Sequence, residues 1–526
     1  MIAFLKHCWQ RRWLRGIAWT VVSLLTLLTL FIAWVNWTGA RVWSAAQQRV
    51  IDEKLTLDFR QTLPDPVPDA ENFCATPLLR DIAVVVDGDA AKGEPAARRK
   101  ALDALGLPEG KAASPELERP SMQPKPGQTA QQHMTDWAAW LRGMKVAMPV
   151  TDEKNPAREV LAALSYQDAA VAELATRLDL PLAQLTPATK NQALPEMIFS
   201  MQVPHFVSLQ RAVMGLALRA LAAIHAGEAA KAHEATRIMA RLTQATSNEP
   251  FLIGLLVSRA AASMTTTAVS TLCQSRLGSA EDFRKLGSDM EKTDFHEVTF
   301  RAWRGELAAG VDAVMYLKRS RDPNLLAIIG NAGEQRATHG DLLPRALPSG
   351  FFDMNAANMI HMELDYIIRP LRDGGWRGVL QVQPEMERHF KEAKVNWVTN
   401  LDKIFPVLLM PSASATTSSS VYGQCLVNQA IIACALERHY AEHKAYPESL
   451  ELLKQTDGEP LPKDPADGAP MRYVKTEDGR YKLWSVGFDL VDDGGKGPDK
   501  DAKGDAAKPS RAEYKGDWVW EYATRP

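Results

Sequence analysis

The chain is poor in cysteine and lacks the short signatures that announce common chemistries. Its 526 residues hold five cysteines with no CxxC pair, so a zinc ribbon or a dithiol redox centre has nothing to build on. No P-loop, GxSxG, SxxK or HExxH spacing occurs, which leaves phosphate cradles, nucleophilic serines and zincin chemistry without local support. An excess of either charge is missing too: 61 basic residues stand against 63 acidic ones, for a formal net charge of -2. That balance gives no overall attraction to nucleic acid, and nucleic acid is not an expected partner. Cys425 and Cys434 are nine residues apart, on opposite faces of a helix, and cannot bridge each other there. With Cys74 and Cys273 they are expected to be buried free thiols.

What the chain does have is a long uncharged run. Gly16 to Trp37 spans 22 residues without a charge, enough for a helix to cross a hydrocarbon core of roughly 30 Å. Lys6, Arg11, Arg12 and Arg15 precede it with no acidic residue among them, and that bias keeps the short N-terminus in the cytoplasm. Trp13 and Trp19 toward one end, and Trp34, Trp37 and Trp43 toward the other, suit the two membrane interfaces. A secretory signal would have an apolar run of about 7–15 residues and a small-x-small site, to which Thr38-Gly39-Ala40 is the nearest approach. The expected partner of this stretch is the membrane, crossed once, with the bulk of the chain outside the cytoplasm.

The expected organisation follows from that anchor: a cytoplasmic tail over 1–15, a transmembrane helix over 16–38, a stalk and flexible linker over 39–132, a helical domain over 133–410 and an α+β module over 411–526. The fold class is mainly α. Arg41 to Arg60 reads as a polar helical stretch ended by Pro64, Pro66 and Pro68, and a short helix is expected at Ala96–Leu105. Phe206, Leu209, Val213, Leu216, Ala220 and Ile224 form one buried stripe, with Gly227 placed to close it. Ala232, Ala235, Ile238 and Leu242 make the next stripe, and Ser247-Asn248-Glu249-Pro250 looks like the cap of a third helix. Short turns stack such helices antiparallel, as a repeat-like array or a bundle. Ile404 to Leu436 carries no charge over 33 positions and raises a second span, opposed by Pro406, Pro411, Gln424, Asn428 and Gln429.

In the last fifth of the chain, Val421 to Leu436 runs as an apolar helix into ALERHYAEHKAYPESLELL. LPKDP, MRYV, YKLWSVGFD, an Asp/Gly-rich loop and GDWVW follow, with Thr476-Glu477-Asp478-Gly479 as a hairpin turn. This order resembles the globular domain of the major pseudopilin of type II secretion. Tyr446-Pro447-Glu448-Ser449-Leu450, Leu461-Pro462-Lys463-Asp464-Pro465 and Ser485-Val486-Gly487-Phe488-Asp489 are its most specific parts. The resemblance implies one helix against a three-stranded antiparallel sheet, and a calcium ion in the loop before the last strand. Carried over by position, the ligands would be Asp489, Asp492, Asp493 and Asp517. It also implies a place in the bacterial cytoplasmic membrane with the head in the periplasm. The chain departs from the family at its N-terminus, where Gly16 is followed by Ile17-Ala18-Trp19-Thr20-Val21 and no processing site remains. Lys444 stands where the family often has glycine, at a helix end that favours a left-handed residue.

Residues able to do acid–base work are sparse. His361, Glu363 and Asp365 lie together in MIHMELDY, His225 and His233 lie beside Glu228 and Glu234, and His439 and His443 share a helix face. Trp137 and Trp140 read as core anchors and Arg98, Arg99 and Lys100 as a solvated face. No catalytic residue is assigned. The expected function is interaction or assembly with other proteins at the membrane, the alternatives being a noncanonical secretion-system component or an extracytoplasmic enzyme.

Overall fold

The computed structural model describes residues 12–83, 96–109, 118–147, 155–185, 198, 201, 203–321, 347–395, 400–410, 413–497 and 515–520. Lys6, Cys8, Arg11 and Pro411 lie outside these residues. The chain begins with one helix of 41 residues, α1 (Arg12–Asp52), about 60 Å long at the α-helical rise. Trp13, Ile17, Trp19, Leu24, Leu28, Phe31 and Trp34 are exposed along it, and Thr20, Thr26 and Thr29 return their hydroxyls to carbonyls four residues back. From Val35 onward the same helix turns a face inward, with Val35, Ala46 and Val50 buried. The residues expected as a stalk are therefore partly core, and the helix passes from bare to packed without a break.

The body is helical: α2 (Pro77–Ala83), α3 (Ala96–Leu105), α4 (Ala130–Gly143), α5 (Pro156–Ala163), α6 (Asp168–Ala175), α7 (Pro204–Ala226), α8 (Ala229–Ser247), α9 (Leu252–Ser275), α10 (Ala280–Glu291), α11 (Phe295–Ser320), α12 (Ser349–Glu363), α13 (Arg369–Val395), α14 (Ile404–Leu409) and α15 (Ala413–His443). The stripe expected on α7 is buried, and Gly227 closes the helix in the left-handed region at φ 78°. The cap expected at Ser247–Pro250 forms differently. Ser247 ends α8, Phe251 is the N-cap of α9 without a side-chain hydrogen bond, and Glu249 is taken up by His205 at 2.9 Å. Arg98 is buried rather than solvated, donating to the Ile82 carbonyl at 3.1 Å. Trp137 and Trp140 sit in the main core, their rings edge-to-face 5.6 Å apart.

Among the described residues, four helices are long and apolar enough to cross a membrane. The three beyond α1 lie largely buried within the fold, including the run that raised a second span. That run breaks after α14 and resumes as α15, whose three amides have partners inside the protein. Gln424 accepts the Phe295 N–H at 2.6 Å, Asn428 donates to the Lys463 carbonyl at 2.7 Å, and Gln429 donates to the Trp518 carbonyl at 2.7 Å. Amides costly in lipid thus find partners in this core, while Gln429 Oε1 and Ser419 Oγ are buried without one among the described residues.

After α15, Lys444 takes the left-handed conformation at φ 58°. Only a 3-10 turn, Leu450–Leu452, follows where a second short helix was expected. β1 (Arg472–Lys475), β2 (Tyr481–Ser485) and β3 (Trp518–Val519) form an antiparallel sheet in that order. Leu483, Tyr481 and Trp518 belong to the same apolar cluster as Cys273, Leu286 and Cys434. The sheet and the helical body thus share α15 and one core.

The anchor joins the body at a glycine crossing. A Cβ built on Gly350 would lie 2.1 Å from the Val35 carbonyl oxygen, and one on Gly39 would lie 2.4 Å from the Gly350 Cα. Both neighbours are helix backbone and cannot swing aside. Asn36 Oδ1 accepts the Gly350 N–H at 2.8 Å, so α1 caps α12 from outside. Gly350→Ala is expected to destabilise the detergent-solubilised protein by about 1–3 kcal/mol, read as a lower Tm. Gly16→Ala, whose Cβ would meet nothing within 4 Å, should leave Tm almost unchanged.

Candidate functional site

Two acidic constellations stand out, one in the C-terminal loop and one inside the helical body. The loop carries the four aspartates named from the resemblance. Asp489 accepts the Val491 and Gly516 amides at 3.2 and 3.1 Å. Asp492 accepts the Trp484 indole at 2.9 Å and the Gly494 amide at 3.0 Å. Asp517 is wholly buried: its Oδ2 accepts the Gly495 amide at 2.6 Å, while its Oδ1 has no hydrogen-bond partner. Burial, and then the charges of Asp492 and Asp493, push its carboxyl above the usual range. The orphaned oxygen and nearby like charge are features a calcium ion would relieve, since it takes carboxylate and carbonyl oxygens together. Among the described residues, however, no three His, Cys, Asp or Glu side chains gather as a metal cluster. Loop carbonyls would have to complete the shell.

The most specific motifs of the resemblance meet at a different aspartate. Asp464 is fully buried and accepts from the Ser485 hydroxyl at 2.7 Å, the Val486 amide at 3.1 Å, the Ala466 amide at 2.9 Å and Arg472 at 2.7 Å. It locks LPKDP to the SVG turn. At the far end of α15, Glu437 is buried against the Tyr446 hydroxyl at 2.8 Å, and burial pushes it up to about 7.

The second constellation divides a stretch that the sequence presents as one unit. His361, Glu363 and Asp365 point to different neighbours. Arg49 of α1 donates to His361 Nδ1 at 2.9 Å and pairs with Asp365; as the acceptor, that nitrogen is unprotonated. Glu53 pairs with Arg369 at 3.1 Å and Arg372 at 2.8 Å. This polar clamp fixes the last turns of α1. Glu363 instead faces inward, wholly buried, and neither of its oxygens has a hydrogen-bond partner. Its neighbour in charge is Glu306 of α11. Burial pushes Glu306 up to about 7 and Glu363 well above the carboxylate range, the latter raised further by Glu306. A turn of π-helix, Leu364–Ile368, begins at the next residue. Glu306 was not singled out from sequence, although it lies three residues from Trp303 and four from Gly310, within a buried face. That spacing was the available signal.

The remaining histidines are structural in their contacts. His233 is buried with Nε2 2.8 Å from the Leu277 carbonyl, and burial holds His225 below its ordinary pKa. His439 and His443 stack 4.2 Å apart near the protein surface. Each Nδ1 lies by a backbone carbonyl, Ala445 and His439 respectively. Cys74, Cys273, Cys425 and Cys434 are buried free thiols. A half-open cavity of about 490 Å³ lies between α7 and α9 beneath the Ser121–Pro126 strap, with Met122, Leu221 and Met264 in its wall.

A carboxyl whose folded pKa exceeds its unfolded value stabilises the fold below the unfolded pKa, near 4.5 for Glu306. That stabilisation is lost as pH rises through the folded value of about 7. Glu363, raised in the same direction, should behave alike: Glu363→Gln is expected to match the parent protein near pH 4.5 and to gain in Tm over it as pH rises to 8; parallel melting curves across that range would refute the buried carboxyl pair. For the loop, calcium should raise Tm of the intact protein relative to chelator, and Asp517→Asn should abolish the rise. The shared core around α15 makes the intact chain the right sample. No protein-family model, curated protein or solved structure matches this chain.

Proposed function

We propose that this protein is a single-pass membrane protein whose body, held outside the cytoplasm, serves interaction or assembly with other proteins. The observation that carries this reading is α1, whose apolar first half is bare and whose second half is clamped into the body. A bare helix of that hydropathy has lipid as its natural surroundings. A clamped one holds the body at a fixed height and orientation. Such an arrangement suits a scaffold that presents a surface to partners at the membrane.

The C-terminal module offers the presenting surface. β1 is an edge strand, with Val474 exposed beside it, and Leu452, Leu490 and Val491 are also exposed. Open strand edges and exposed apolar groups are places where another chain can pair. The second reading, a noncanonical component of a type II secretion-like system, draws its support from the helix-plus-sheet build of this module and from Asp464, which ties the most specific motifs together. In that reading the module acts as a fixed head. α15 is enclosed by α9, α10 and α11 and has no free face for packing against further copies.

Photo-crosslinking amino acids at Val474 and Leu452 of the full-length protein in native membranes test the proposal. A discrete adduct at these positions, absent with the crosslinker at Tyr166, is the expected result; an adduct with secretion machinery would favour the second reading. Uniform absence of adducts, together with a hydrolytic activity of the purified protein lost in Glu363→Gln, would replace assembly by catalysis.

A further inference from the structure

We propose that the body itself rests on the bilayer: α14, with neighbouring Leu401, lies in the headgroup region, and the basic residues at this end face anionic lipid. The inference rests on the reading of α1 as a membrane span.

The bare part of α1 ends where Gly39 crosses Gly350, and Gly39 is two residues beyond Trp37, about 3 Å along the axis. The first turn of α12 therefore stands at the membrane surface. From there α12 runs alongside α1, since Gly350 meets Asn36 and His361 meets Arg49. The end of α11 reaches the same level: Lys318 bonds Asp353 at 2.5 Å, and Arg321 bonds the Leu347 carbonyl at 2.7 Å and the Ser349 hydroxyl at 2.8 Å.

α14 is brought to this end as well. The Phe405 amide donates to Asn355 Oδ1 at 3.0 Å, its ring stacks 6.1 Å from that of Phe352, and Leu409 packs in one cluster with Trp43 and Leu347. Its sequence, IFPVLL, is uncharged. Phe405 and Pro406 are buried on one side, while Leu408 remains 41 % exposed and neighbouring Leu401 46 %.

Exposed apolar side chains gathered at the end of the body nearest a membrane anchor find their natural cover in the acyl–headgroup boundary. The charges agree. Arg41 is exposed near Gly39, and Arg319, exposed at the end of α11, keeps a long 3.7 Å ion pair with Asp312. Asp402 is turned toward the body, its carboxylate accepting from Asn358 at 2.9 Å. Basic side chains beside an anionic leaflet are electrostatically favoured.

Spin-label depth measurements on the full-length protein in nanodiscs containing anionic phospholipid test this. In a Cys8→Ser background the buried thiols stay unlabelled, being enclosed and pushed up in pKa. Labels at Leu408→Cys and Leu401→Cys should show an oxygen-to-nickel-chelate collision ratio several-fold above that at Val474→Cys, with Leu28→Cys higher still. Ratios at 408 and 401 equal to that at 474, with Leu28→Cys still high, would overturn the headgroup contact and leave the span standing. An equally aqueous label at Leu28→Cys would remove the span as well.

Discussion

Backbone lies against backbone where Gly39 meets Gly350, and the architecture depends on that contact. A side chain at either position would push α1 from α12 by more than a flexible neighbour could absorb. With hydrogen in place of Cβ, the helices come close enough for Asn36 to cap α12 and for Ala46 and Val50 to enter the body's core. About three to four turns beyond Gly39, Arg49 and Glu53 add ionic contacts to the π-helical turn Leu364–Ile368 and to α13. Such partly exposed pairs contribute little stability individually. Their effect is directional: they fix the rotation of α1 about its axis after the glycines have set its distance.

The second organising element is α15. It is uncharged over most of its length, and the fold surrounds it with α9, α10 and α11 on one side and the sheet on the other. Its amides are spent on the start of α11, on the LPKDP segment and on β3. A module that resembles a separate head by sequence is thereby welded to the helices before it. The carboxyls of Glu306, Glu363 and Glu437 are the electrostatic counterpart of this dense packing. Each is raised chiefly by burial, so the body is expected to be more stable in mildly acidic than in alkaline solution.

Local rules made much of this legible. The apolar stripe of α7, its glycine stop at Gly227, the Ala96–Leu105 helix and the hairpin around Gly479 all follow from periodicity and turn chemistry within a few residues. What sequence reasoning could not reach was long-range. Nothing in Arg41–Asp52 indicates that one face is core, because its partner Ile360 lies some three hundred residues away. An uncharged run such as Ile404–Leu436 looks alike whether lipid or protein covers it. Arg98 reads as solvent-facing until the fold supplies the Ile82 carbonyl, and Glu249 as part of a helix cap until it supplies the His205 imidazole. Of the candidate site, the aspartates of the loop were visible as a cluster, but their use by backbone amides was not. His361 and Glu363 were visible as neighbours, while their separation onto different faces, with Glu306 opposite Glu363, needed the packing of α11 on α12.

The account stands on α1 being one rigid helix from the bilayer into the body, through Thr38-Gly39, where a hinge would be easiest. Pulsed electron–electron resonance between labels at Leu30→Cys and Ile51→Cys, both exposed positions on α1, measures this directly in full-length protein in nanodiscs. An unbroken helix places the labels about 30–40 Å apart in a single narrow distribution. A broad distribution, or a dominant shorter distance, would contradict it.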